Sequence, residues 1–198
     1  LPHAPYLAAI AVGDFVEIKD HWRGRPVNYY VEPEFENGGK IVFQHTPEMI
    51  EFFSNLLGVP YPWSHYNQVV VRDFVTGAME NTTLTIFMEE LNLTEREAID
   101  SEWDGIIAHE LFHQWFGDYV TTESWANLTL SEAFATYSEY LWYEYKNGKD
   151  EADLHHASEI ETYMDEAEVK QENLIRFYYD KPDDMFDSHS YAKGGAIL

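Results

Sequence analysis

Three side chains in the stretch 106–115, IIAHELFHQW, carry chemistry: His109, Glu110 and His113. On an α-helix, residues four apart lie one above the other, so the two imidazoles would face a single point. Neutral imidazole nitrogens suit Zn²⁺, with Zn–N distances of about 2.0–2.1 Å. Glu110 lies about 100° further round the helix. It can reach an attacking water without being a ligand, which makes it a candidate general base. The alternative is two surface histidines that happen to stack. Against it stand Ile106, Ile107, Ala108, Leu111, Phe112, Trp115 and Phe116, which leave almost no polar face. Both imidazoles would have to enter a core, where an unpartnered polar group is costly.

Two imidazoles do not complete a catalytic zinc site, which keeps three protein ligands and one open position. Downstream, LSEAFATY (130–137) sets Glu132 among small and apolar neighbours, a poor place for a carboxylate without a cation. Glu139 and Glu144 on the same segment are expected to be solvated, and Glu123 falls in a connecting loop. Eighteen residues separate His113 from Glu132, enough to reverse the chain.

The elements that must position these residues follow from patterning. Residues 5–18 and 27–35 are rich in β-branched and aromatic types and predict strands joined by the turn DHWRGRP. Thr46-Pro47-Glu48 supplies an N-cap with Pro at the first helical position, and Gly58 ends that helix. Strands are expected over 66–74 and 82–88, with a bend at VTGAMEN between them. Helices are expected over 102–116, over 129–146 with a stop at Asn147-Gly148, and over the acidic segment 150–168. The stretch PDDMFDSHSY reads as a loop into a last, short helix. Strands first and helices after them give an α+β class.

Composition narrows the function. The 198 residues hold 12 Lys and Arg against 36 Asp and Glu, a formal charge of −24. Nucleic-acid binding rests on phosphate neutralisation by basic residues, so that class is excluded. The negative field attracts cations and amines, or simply keeps the protein soluble. Without Cys there is no disulfide or thiolate chemistry. No apolar run reaches the roughly 18 residues of a membrane span. The chain opens without Met and stops on an apolar run, so it reads as a piece of something longer. Compartment (periplasmic, extracellular or cytoplasmic) and oligomeric state stay open.

Three motifs in order carry a family resemblance. HELFHQW is followed by Glu132; Gly77-Ala78-Met79-Glu80-Asn81 spells GAMEN; and Tyr191-Ala192-Lys193-Gly194-Gly195 closes the chain. Together they resemble the M1 family of zinc aminopeptidases, whose catalytic domain is thermolysin-like, and the likeness runs from about Pro5 to the last residue. It implies one Zn²⁺ held by His109, His113 and Glu132, with Glu110 as general base and Tyr191 stabilising the oxyanion. It also implies that Glu80 anchors a substrate's free α-amine, in a subsite lined by Gly77, Ala78, Met79 and Asn81. Substrates would be peptides with a free N-terminus. Residues 1–36 would be a β segment at the junction with an N-terminal β-domain, and 37–198 an incomplete catalytic domain. Alone, Tyr191 is one of 14 tyrosines and Glu80 a turn carboxylate; the resemblance is what raises them.

The chain departs from the family in carrying Ser131 before Glu132, where several members have Asn. It also has Thr82-Thr83 after GAMEN, where many carry an aromatic residue and Gly. Asp118 and Glu102 are candidate partners for the ligand histidines by position. Asp187 and His189 are candidate cleft residues, while His155-His156 is expected to be solvated. Two alternatives stay open: a zinc hydrolase of the same fold acting on another substrate such as an epoxide, and a non-catalytic scaffold. Retention of all six chemical residues argues against the scaffold.

Overall fold

The computed structural model describes residues 2–198; Leu1, the first residue of the expected 1–36 segment, lies outside them. The chain divides into two compact units, one ending at Tyr119 and the other running from Val120 to Leu198.

The first unit is built on a five-stranded mixed sheet in the order β1-β2-β3-β5-β4. Strands β1 (Val16–Trp22) and β2 (Arg25–Val31) form an antiparallel hairpin. Its loop is two residues, Arg23 and Gly24, both at positive φ (46° and 77°), the backbone twist that suits a tight hairpin. The expected turn DHWRGRP is therefore mostly strand. The expected strand over 5–18 is also corrected. Pro5–Leu7 is a short 3₁₀ turn, and regular pairing begins only at Val16. Ile10 and Val12 are 90% and 91% exposed, so β-propensity there meets no partner strand.

After β2 come α1 (Glu36–Val42) and α2 (Thr46–Leu57), then β3 (Tyr66–Val70), which pairs parallel with β2. Parallel neighbours need a crossover, and the two helices supply it. Gly58 stops α2 in the left-handed conformation, as its position predicts. The edge strand β4 (Ala78–Met79) pairs antiparallel with β5 (Leu84–Phe87), and β5 runs parallel to β3. Helix α3 (Glu95–Ile99) opens on a capping box between Thr94 and Glu97, and α4 (Asp104–Phe112) follows.

The second unit is helical: α5 (Thr129–Asn147), α6 (Lys149–Ala167), a π-helix (His189–Lys193) and α7 (Gly194–Ile197). Trp142 of α5 is fully buried, as are Ala135 of α5 and Ala152 of α6. A mixed sheet in the first unit and a helical second unit fit the α+β class, although α1 and α2 fall between strands rather than after them. Among the described residues no helix is long and apolar enough to cross a membrane.

Candidate functional site

In the first unit the site is a property of α4 and the turn after it. Phe53 of α2 is buried edge-on against Phe112, ring centroids 5.0 Å apart, and contacts Trp115 at 6.5 Å. The indole of Trp115 donates to the Val59 carbonyl at 3.0 Å, and that of Trp63 donates to the Gln114 carbonyl at 3.0 Å. Apolar rings thus fix the helix while each indole N–H finds a partner, as burial requires. Regular α-geometry ends at Phe112, but helical bonding continues (His113 N to His109 O, 3.2 Å; Phe116 N to Phe112 O, 3.1 Å). The expected helix over 102–116 is thus longer than the observed Asp104–Phe112, which is continued by a hydrogen-bonded turn.

His109, Glu110 and His113 are buried, and the two imidazole centroids are 4.9 Å apart. His113 is only 1% exposed. Its Nδ1 lies 2.9 Å from the Phe116 carbonyl, which can only accept. A proton therefore sits on Nδ1, and in the neutral imidazole the lone pair falls on Nε2, the nitrogen that could meet a metal. Gly117 makes this possible. Its φ is 138°, and a Cβ there would stand 3.2 Å from His113 Nδ1.

Asp118 follows, its N–H donating to the His113 carbonyl at 3.0 Å. Burial first, then the nearby charge of Glu80, push its carboxyl up to about 8, against the pull of His113. Of the two carboxylates placed near the ligands by sequence position, Asp118 is buried and Glu102 is exposed.

The GAMEN residues run through β4 and out of it. Gly77 has φ 80° and its carbonyl accepts from Met88 N at 2.8 Å; Ala78 and Met79 are half-buried in the edge strand. Glu80 and Asn81 are buried, and Asn81 Nδ2 donates to the Leu7 carbonyl at 3.2 Å. A residue that the sequence reading left without a role ties this loop down. Gln114 is wholly buried and donates from Nε2 to the Glu80 carbonyl at 3.1 Å, while its Oε1 accepts from Thr83 N at 3.0 Å. The same test that singled out the histidines, a polar residue on an apolar helix, would have found it.

The second unit carries Glu132 and Tyr191. Glu132 is buried in the first turn of α5. Tyr191 is half-exposed, in the π-helix that α5 packs against. The Thr129 hydroxyl donates to the Ser190 carbonyl at 3.0 Å. A Cβ on Gly194 would meet the Ala133 Cβ at 2.6 Å, so Gly allows the two helices their close approach.

Asp187 and His189 take structural partners. Asp187 accepts from Arg176 Nη1 at 2.6 Å and Nη2 at 2.9 Å, and also from Lys170. Burial opposes its charge, but Arg176 and Lys170 hold the carboxyl down to about 2. Arg176 also donates to Ser190 Oγ at 2.7 Å. His189 is fully buried with Nδ1 2.8 Å from Glu166. Glu166, Asp187 and His189 lie close enough to suggest a second ion site. Two cations already neutralise Asp187, so the cluster is an ion-pair network.

His155, expected in solvent, is half-buried with Nε2 3.2 Å from Glu139. Burial, the largest influence, works against its charged form, but the hydrogen bond with Glu139 and the charges of Glu139, Glu159 and Glu151 together raise its pKa. Glu139, also expected in solvent, is thereby the ion-pair partner of an imidazole.

The chain is also similar in sequence to known proteins. The peptidase family M1 domain matches residues 41–198. Glutamyl aminopeptidase from Bos taurus is 32% identical over all of the chain, which covers 22% of that protein. Aminopeptidase M1 from Arabidopsis thaliana is 31% identical over 98% of the chain, covering 23% of its own length. Probable aminopeptidase 1 from Sulfurisphaera tokodaii is 30% identical over 98%, covering 25%. The chain thus spans about a quarter of the curated relatives it matches.

Proposed function

The chain belongs to peptidase family M1, and from that premise we propose that it carries the catalytic machinery of a zinc aminopeptidase on a thermolysin-like domain, residues 37–198, with residues 1–36 a β segment at its junction with an N-terminal β-domain. The observation that carries the reading is the state of His113: a buried imidazole whose Nδ1 proton is committed to the Phe116 carbonyl, leaving Nε2 as a metal donor. His109, one helical turn away, offers the second nitrogen, and Glu132 is the third ligand of the proposed set. Two neutral imidazoles and one carboxylate suit Zn²⁺. When bound, the ion supplies Lewis acidity and brings the pKa of a water it holds down to about 7.

The protein's own groups do the rest. Glu110 takes the proton of the attacking water and later passes it to the departing amine nitrogen. Tyr191 donates a hydrogen bond to the oxyanion of the tetrahedral intermediate, a contact that strengthens as charge develops. Glu80 holds the substrate's α-ammonium by a charge-assisted hydrogen bond, so cleavage is counted from the N-terminus. The small residues Gly77 and Ala78 allow a peptide backbone to lie against the sheet edge, with Met79 and Asn81 completing the subsite. Addition along an open strand edge is a common mode of peptide capture. The substrates are peptides with a free N-terminus, and the relatives named above are aminopeptidases.

The test is Glu110→Gln in the full-length protein. It should retain about one zinc per chain while losing hydrolysis of aminoacyl anilides by at least about 10²-fold. An active Glu110→Gln enzyme would refute the assigned base.

A further inference from the structure

We propose that Gln114 is a positioning residue for the substrate's amino end, fixing the loop that carries Glu80 to the helix that carries His109, Glu110 and His113. The inference rests on the reading of Glu80 as the amine anchor and adds to it the device that sets the anchor's place.

The carboxamide of Gln114 is wholly buried and its orientation is unambiguous. Thr83 N–H can only donate and the Glu80 carbonyl can only accept, so Oε1 must face the first and Nε2 the second. The Tyr61 hydroxyl lies 3.3 Å from Oε1 and 3.1 Å from the His65 carbonyl, so its single proton is shared between them. One side chain therefore grips the loop at two points three residues apart, on either side of Asn81-Thr82.

The grip acts on strained backbone. Thr83 has φ 65°, the left-handed region that a β-branched residue avoids. Such a conformation persists only where its surroundings hold it, and Gln114 binds the N–H of that residue. Released, Thr83 would relax and carry the Glu80 carboxylate with it. The metal-site histidine keeps its own support, because the His113–Phe116 bond does not involve the amide. Loss of Gln114 should therefore damage amine recognition and spare metal binding. A core amide that merely filled space would not separate the two.

The experiment is a double-mutant cycle in the full-length enzyme, combining Glu80→Ala with Gln114→Ala and with Gln114→Met, which keeps the volume without the hydrogen bonds. Zinc content is measured beside KM and kcat for an aminoacyl anilide. Competitive inhibition by an amino-acid amide is compared with that by its des-amino analogue. The expected result is full zinc occupancy and a preference for the amine-bearing inhibitor reduced about tenfold to a hundredfold, mainly through binding. Each double variant should then be no worse than Glu80→Ala alone, because Gln114 acts through Glu80. If Glu80→Ala abolishes the amine preference while Gln114→Met leaves it intact, or if the two losses multiply, Gln114 is not the positioning residue. If Glu80→Ala itself leaves the preference unchanged, the anchor assignment falls and the proposal falls with it.

Discussion

Replacing Gly117 by Ala tests how the turn after α4 supports the candidate metal centre. Two costs can be worked from the structure. The backbone stands at φ 138°, where an L side chain is strained by about 1–3 kcal/mol. The new Cβ would sit 3.2 Å from His113 Nδ1 and 3.3 Å from the His113 carbonyl, both tight. The imidazole must tilt, and the Nδ1–H bond to Phe116 is weakened or lost at about 0.5–1.5 kcal/mol. Together these come to about 1.5–4.5 kcal/mol, a large part of a typical stability of about 5–15 kcal/mol. For a chain of this size each kcal/mol moves the midpoint by about 2–4 °C.

The more telling consequence concerns the metal. A ligand histidine that loses the partner of its other nitrogen typically costs about 10–100-fold in affinity. Thermal unfolding of the metal-free protein measures the backbone strain, and zinc competition against a chelator measures the ligand's orientation. Gly117→Ala should lower both. Wild-type zinc affinity in a variant that is merely less stable would show that the Nδ1–Phe116 bond does not orient His113, and the reasoning from tautomer to ligand would fail.

Thr83→Gly should raise the unfolding free energy by about 0.5–1 kcal/mol, since relief of left-handed strain of about 1–2 kcal/mol outweighs the entropy of a new glycine; a lower midpoint in denaturant titration would refute the strain. Asp187 has a folded-state pKa of about 2, below the roughly 3.9 of an unfolded chain. The native state therefore binds fewer protons, so the stabilisation is complete above about pH 4 and is lost as pH falls towards 2. Asp187→Asn should flatten that segment of the stability–pH curve. Phe53→Ala should cost about 3–5 kcal/mol in equilibrium unfolding, because the ring is fully buried between Phe112 and Trp115.

Much of this architecture is legible in the sequence where local signals and burial agree. Helix α5 runs Thr129–Asn147 against an expected 129–146, and α6 runs Lys149–Ala167 against 150–168. Where tertiary contacts decide, the sequence is silent or misleading. The segment ENGGKIV carries two glycines and poor helix propensity, yet it forms α1, because Gly38 lets the helix approach the Leu93 carbonyl, which would stand 1.8 Å from any Cβ. Residues 8–15 look like a strand and lack a partner. In the candidate site the histidines and Glu110 stand out because a polar group on an apolar helix demands an explanation. Gln114 poses the same question and is answered by a loop 31–34 residues upstream. Asp187 and His189 read as chemistry, but Arg176, Lys170 and Glu166, remote in sequence, claim them.

The π-helix at His189–Lys193 has a consequence for how this segment tolerates change. A π-turn is a helix with one residue too many: Lys193 N reaches back five positions to the Ser188 carbonyl, at 2.9 Å. Removing one residue from it would let the turn tighten to an α-turn and rotate everything on one side by about 100°. Either Tyr191 would leave its present face, or Gly194 would turn away from Thr129 and Ala133 and present a bulkier neighbour to them. The surplus residue thus decouples two alignments that a regular helix would lock together. Length in this stretch is accordingly as constrained as residue identity, and a single deletion there should be less tolerated than most substitutions.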